Sequence, residues 1–101
     1  MRTISVGLIG LGNVGSGVVK LLADNADAIR QRLGGSAVAI RRIAVREAEK
    51  PRLVDVAPQL ITTDVNAVLA DPEIEIVLEL MGGEEPARTY LLDAIARGKH
   101  I

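Results

Sequence analysis

The sequence predicts an α/β fold: a parallel β-sheet with helices on both faces, left incomplete within this chain. Three observations predict it. Short runs rich in Ile, Val and Leu alternate with segments of helical period. The order is strand, helix, strand, short strand and helix, strand, helix, strand start, as in strands joined by helical crossovers. The first strand-to-helix junction carries three glycines, Gly10, Gly12 and Gly15, at spacings of two and three. Glycine weakens strands and helices alike, so the backbone is bare there for a reason.

Thr3 to Ile9 is a short β-branched run that stops at Gly10, and reads as a buried strand. From Asn13 the period changes. Val14, Val18, Leu22, Ile29 and Leu33 fall near one face of a helix that Gly34-Gly35 ends. Ala37 to Arg46 reads as the second strand, with Arg41 and Arg42 awkward in its middle. Either it starts late or it lies partly exposed. "EAEKPR" is a polar loop, and Leu53 to Pro58 takes no assignment. Leu60 to Thr62 forms a very short third strand. Asp64 caps a short helix through about Leu69, which Asp71-Pro72 stops. Ile74 to Leu80 is the clearest later strand, ended by Met81-Gly82-Gly83. Pro86 suits a first helical position, and Glu84-Glu85 suit the positive helix end. Ala87, Leu91, Ala94 and Ile95 make that helix's apolar face, and Gly98 ends it. Lys99 to Ile101 opens another strand.

Composition narrows the function classes. Nearly half of the 101 residues are apolar, enough for a core in one small domain. The net charge is −1 and Tyr90 is the sole aromatic, so a nucleic-acid surface built on stacking is not expected. With no cysteine and His100 the one histidine, neither a disulfide nor a thiolate or multi-histidine metal site is expected. No apolar run reaches the roughly 18–20 residues of a membrane span, and the N-terminus does not read as a signal peptide. A cytoplasmic domain is the expectation.

The glycines fit a Rossmann-type dinucleotide fold. The first allows the tight turn out of the strand, the second lets the backbone approach a pyrophosphate, and the third lets the helix pack closely. The residues Gly10, Leu11, Gly12, Asn13, Val14 and Gly15 would then present free N–H groups and a positive helix end to the phosphates. The competing explanation is a close helix–strand contact without a ligand. Gly17, outside the pattern, is expected to permit close packing.

A second signal lies after the second strand. NAD binders place an acid there for the ribose. Here Glu47 stands one step beyond Val45-Arg46, among Arg46, Lys50 and Arg52. A guanidinium there could stack on adenine or neutralise a 2′-phosphate; Arg46, and behind it Lys50, read as contacts to that phosphate, favouring NADP or tolerance of both NADP and NAD. The alternative is an ordinary solvated loop. A third signal is Glu79 to Gly83, where Gly82 and Gly83 would let the chain pass close to the nicotinamide ribose. Glu79 has three readings: binding substrate, stabilising a neighbouring loop, or facing solvent. None makes it catalytic. Tyr90 is expected to pack.

"VGLIGLGNVGSGVVKLL", "AVREAEKPR" and "VLELMGGEEPARTYLLDAIARGKHI" together resemble the N-terminal cofactor domain of homoserine dehydrogenase over nearly the whole chain. The last block is more specific than the glycine fingerprint. The resemblance implies reversible hydride transfer between aspartate semialdehyde and homoserine, on the route to threonine and methionine. It implies that Gly10, Gly12, Asn13, Val14 and Gly15 hold the pyrophosphate, Arg46 lies near the adenosine 2′ position, and Gly82-Gly83 lie near the nicotinamide ribose. It also implies a following substrate and dimerisation domain bearing the catalytic residues. Residues 1–101 would then be a partial NAD(P)-binding domain with no catalytic residue and no activity alone. The small-molecule substrate would bind through the missing domain, and the whole enzyme would be a homo-oligomer without nucleic-acid or membrane partners. The Met1 start argues against a kinase fused upstream. Two other readings stand beside it: a two-domain dehydrogenase of the glucose–fructose oxidoreductase type, and a nucleotide-sensing module without a reaction.

Overall fold

The computed structural model describes residues 2–47, 52, 54–81 and 85–101. Strand β1 (Thr3–Ile9) leads into α1 (Asn13–Asp24) and α2 (Ala26–Arg32). Then come β2 (Ala37–Ala44), a 3-10 turn at Pro58–Leu60, β3 (Ile61–Thr62), α3 (Asn66–Leu69), β4 (Ile76–Glu79) and α4 (Ala87–Ala96). The four strands form one parallel sheet in the order β3-β2-β1-β4. Sequence order reverses between β1 and β4, so the chain leaves opposite sides of β1 and opens a crevice at the strands' carboxyl ends.

The two sheet faces bury different clusters because side chains alternate along a strand. Ile9, Ala44 and Val77 face α3 and α4, packing with Val68, Leu69, Ile74 and Ala94. Val6, Leu8 and Ile43 face the other way, with Val18 and Val19 of α1 packed on them. Helices therefore cover both faces, as predicted.

Of the longer strands, the first matches its reading closely. β1 has the predicted bounds. The element β4 is shorter than predicted, although Glu75 N–H donates to Ser5 O (2.9 Å) and Leu80 N–H to Ile9 O (2.8 Å), continuing the ladder at both ends. On its other edge, His100 pairs with Ile76 in parallel, so the predicted opening of a further strand is present.

The arginines of β2 have a structural reason. Val6 pairs with Ile40 but Gly7 with Arg42, leaving Arg41 as an extra, bulged residue. The bulge keeps Val38, Ile40 and Ile43 on one face. It frees Arg41 to reach Asp71 (Nε to Oδ2, 2.7 Å), while Arg42 donates to Gln59 O (2.8 Å). β3 pairs only with Ile43 and Ala44, so most of β2 is an edge. Of the two readings, partial exposure is correct and a late start is not.

Several sequence expectations need correction. The long first helix is two, broken at Asn25. The Asn25 N–H makes the last bond of α1, to Leu21 O (3.1 Å), and its side-chain Nδ2 donates to the same oxygen (2.9 Å), the local side-chain bonding that competes with a continuing helix. Val14 is 63% exposed, because the small residues Gly15 and Ser16 take the position against the sheet. Leu33 is also exposed. Gly17 does not serve close packing, since a Cβ there would meet nothing within 4 Å. Ile95 points outward, while Ala87 and Ala94 are buried. Pro86 stands just before α4 rather than at its first position. Asp64 does start α3, with Oδ1 accepting the Asn66 N–H (3.0 Å).

Asp71 ties distant segments together. It accepts from Arg41 and from the Glu73 amide (2.9 Å), and Lys99 Nζ donates to Asp71 O (2.6 Å) and Ile74 O (2.7 Å). Burial acts to raise the Asp71 pKa. The hydrogen bonds from Arg41 and Glu73, and the charges of Arg41 and Lys99, outweigh it and hold the carboxyl below its ordinary 3.8. The folded state therefore holds this proton less tightly than the unfolded chain. Its stabilisation is complete above the unfolded pKa and is lost as pH falls through the folded one. We predict that Asp71→Asn lowers the thermal midpoint at pH 6, and that its gap to wild type closes as melts are repeated toward pH 2.5. A gap independent of pH would exclude the charge as its source.

Candidate functional site

Each strand is followed, at its carboxyl end, by residues that line a single cleft. They are Gly10 to Gly12 after β1, Val45 to Glu47 after β2, Thr63 after β3, and Leu80-Met81 after β4. Arg52, Val65, Pro86 and Tyr90 complete the walls of this cavity of about 490 Å³. The convergence follows from parallel pairing, which puts all four carboxyl ends on one edge.

The three glycines do different things. Gly10 has φ +107°, and a Cβ there would lie 3.1 Å from Leu80 C and O and from Met81 N. Only glycine turns that way with the β4 turn stacked on it. Gly15 is buried, and a Cβ there would lie 2.6 Å from Gly10 O. It lets α1 start directly against the turn. Gly12 is exposed, and a Cβ there would meet nothing within 4 Å. Bare backbone at Gly12 serves no packing contact, which leaves room for something outside the chain.

The start of α1 is chemically open. Gly12 is its N-cap and offers no side-chain hydrogen bond, and the first turn carries no acid. The earliest helical bond runs from Ser16 N–H to Gly12 O (2.8 Å). The amide groups before Ser16 thus have no partner within the helix, and the helix's positive end sits at the cleft. That combination suits an anion.

At the far end, among the described residues, two guanidiniums stand against one carboxylate. Arg46 and Glu47 are exposed, while Arg52 is half-buried and donates from Nη2 to the Glu47 carbonyl. No acid occupies the last position of β2; Ala44 ends it. On the other side of β1, at the end of β4, Glu79 Oε2 accepts the Met81 N–H (2.7 Å). Of its three sequence readings, this bond bears out the one that ties Glu79 to the neighbouring loop.

Of the residues predicted for the site, the structure brings Gly10, Leu11, Gly12 and Arg46 into the cleft. Asn13, Val14 and Gly15 form the first turn of α1 beside it, and Val14 turns toward an open apolar groove with Val18, Leu21 and Leu78. Lys50, Gly82 and Gly83 lie outside the described residues. Sequence reasoning missed Thr63, Val65 and Pro86, and did not place Arg52 or Tyr90 in the cleft. Thr63 follows a two-residue strand, so locating β3 would have found it. Tyr90 packs on the core, as expected, but also lines the wall.

The family model described as "Homoserine dehydrogenase, NAD binding domain" matches residues 10–101. This chain belongs to the homoserine dehydrogenase NAD-binding domain family. Homoserine dehydrogenases of Bacillus subtilis and Synechocystis are 43% and 48% identical to it over 101 and 99 residues. These matches cover 100% and 98% of the chain but 23% and 22% of the relatives. The crystal structure of Staphylococcus aureus homoserine dehydrogenase at pH 6.0 superposes with a TM-score of 0.90 at 38% identity. It covers 99% of this chain and 26% of that one. That of Thiobacillus denitrificans gives a TM-score of 0.83 at 45% identity, over 97% and 22% of the two chains. The chain thus spans about a quarter of the length of the homoserine dehydrogenases it matches. The family match favours this resemblance over the glucose–fructose oxidoreductase type.

Among the described residues, no group of acids and histidine is placed to hold a metal ion, and no helix is long and apolar enough to cross a membrane.

Proposed function

We propose that this chain is the NAD(P)-binding part of a homoserine dehydrogenase, serving hydride transfer between aspartate semialdehyde and homoserine in threonine and methionine synthesis. The observation that supports it is the cleft itself, where the uncapped start of α1 and the bare Gly12 meet the carboxyl edge of the sheet. A pyrophosphate fits the amides of Gly12, Asn13 and Val14, with Gly10 and Gly15 holding the turn that presents them. Arg46, joined by Arg52, would face the adenosine 2′-phosphate. Leu80 and Met81 would flank the nicotinamide ribose, as would Gly82 and Gly83 by the family resemblance. When bound, the nicotinamide supplies or accepts the hydride. The work of these residues is to bind and orient. The aldehyde's site would belong to a substrate and dimerisation domain beyond this segment, in a cytoplasmic homo-oligomer.

Calorimetric titration of the chain with NADP and NAD tests this reading; saturable 1:1 binding of either supports it, and no heat with both would defeat it. The basic end makes a finer prediction. Arg46→Ala is expected to weaken NADP about tenfold, the loss of one charge-assisted hydrogen bond, and NAD much less. Equal losses for the two would take Arg46 away from the phosphate.

A further inference from the structure

Glu79 is an acid at the end of a strand whose other described residues are all apolar. It does not line the cleft; its next two residues do. Its Oε2 accepts the N–H of Met81, two positions on, at 2.7 Å in a partly buried setting. That N–H belongs to the Leu80–Met81 peptide, which lies 3.1 Å from where a Cβ of Gly10 would be. The same region is fixed from behind, by Leu80 N–H on Ile9 O and Gly10 N–H on Ala44 O (both 2.8 Å). Three strands are thus locked at their carboxyl ends. The next peptide along, Leu80–Met81, is held by the Glu79 carboxylate, which takes its N–H.

From this arrangement we infer that Glu79 is a positioning residue of the nucleotide site. It holds the Leu80–Met81 wall against the Gly10 turn and so sets the distance between the phosphate-binding turn and the opposite wall. The role needs an acceptor oxygen, not a charge, because its partner is a neutral amide. It also acts at one end of the cleft only. Arg46 and Arg52 lie past β2, on the opposite side of β1 from β4. The inference rests on the nucleotide-binding reading above.

The test titrates wild type, Glu79→Ala and Glu79→Gln with NADP and with adenosine 2′-phosphate, which reaches the basic end alone. Glu79→Ala is expected to bind NADP about tenfold more weakly, as when a charged acceptor is removed from a buried donor. Glu79→Gln is expected to stay within about twofold of wild type, since its amide oxygen accepts the same N–H. Adenosine 2′-phosphate is expected to bind all three alike, which also reports that the alanine variant folds. Loss of both ligands in Glu79→Ala, or a glutamine variant as weak as the alanine one, would overturn the inference. So would wild-type NADP affinity in Glu79→Ala, and that result would leave the nucleotide site standing. If wild type itself bound neither ligand, the nucleotide reading would fail and the inference with it.

Discussion

Replacing Gly12 with valine is expected to weaken NADP binding by a hundredfold or more while leaving the fold intact. The two halves of that expectation have separate causes. Gly12 has φ −87°, outside the left-handed region, and a Cβ there meets nothing within 4 Å, so the folded chain does not oppose the first carbon of a side chain. Stability should change by no more than about 0.5 kcal/mol, the usual range for exposed positions. The ligand meets a different situation. Isopropyl bulk would stand where a pyrophosphate must approach the amides of the first helical turn. Losing two hydrogen bonds to a charged group costs about 3–6 kcal/mol, and each 1.4 kcal/mol is about tenfold in affinity. Calorimetry and a thermal melt on the same sample check both halves. Wild-type affinity in Gly12→Val would mean that the open backbone at Gly12 is not a binding surface.

Gly15→Ala should do the reverse, breaking the fold before the site. Its added carbon would lie 2.6 Å from Gly10 O and 3.2 Å from Gly10 C, both backbone atoms that no rotamer change can move. Either α1 shifts away from the sheet or the turn after β1 is pushed toward β4, where Gly10 already stacks on Leu80 and Met81. Overpacking of this kind costs about 1–3 kcal/mol. In a domain of this size that lowers the thermal midpoint by about 4–8 °C per kcal/mol. Urea and thermal unfolding measure it directly. A Gly15→Ala chain as stable as wild type would mean that this contact relaxes freely. The pair separates two roles that the fingerprint presents as one: Gly15 leaves space for the protein, and Gly12 leaves the space in which the proposed ligand would sit.

Much of the fold was legible in the sequence because its signals are local. β1, the Gly34-Gly35 stop and the Gly98 stop are short-range matters of period, branching and backbone freedom. The family was legible too, in the block that runs from Glu79 to Ile101. The misreadings came where distant contacts decide. Val14 has the period of a buried residue, yet Gly15 and Ser16 approach the sheet more closely and turn it outward. Arg41 and Arg42 looked wrong for a strand until the bulge opposite Val6 and Gly7 placed one beside Asp71 and the other on Gln59.

That strands and helices alternate, that bare backbone stands at the first turn, and that basic residues follow the second strand is all readable along the chain. Each of these depends on residues close together in the chain. It takes the folded arrangement to show that four strand ends meet in one cleft, that Thr63 and Tyr90 belong to it, and that Glu79 bonds the turn after it. Parallel pairing makes that arrangement, because it brings Gly10, Arg46, Thr63 and Met81 to a common edge, and no pattern along the chain records which strands will be neighbours.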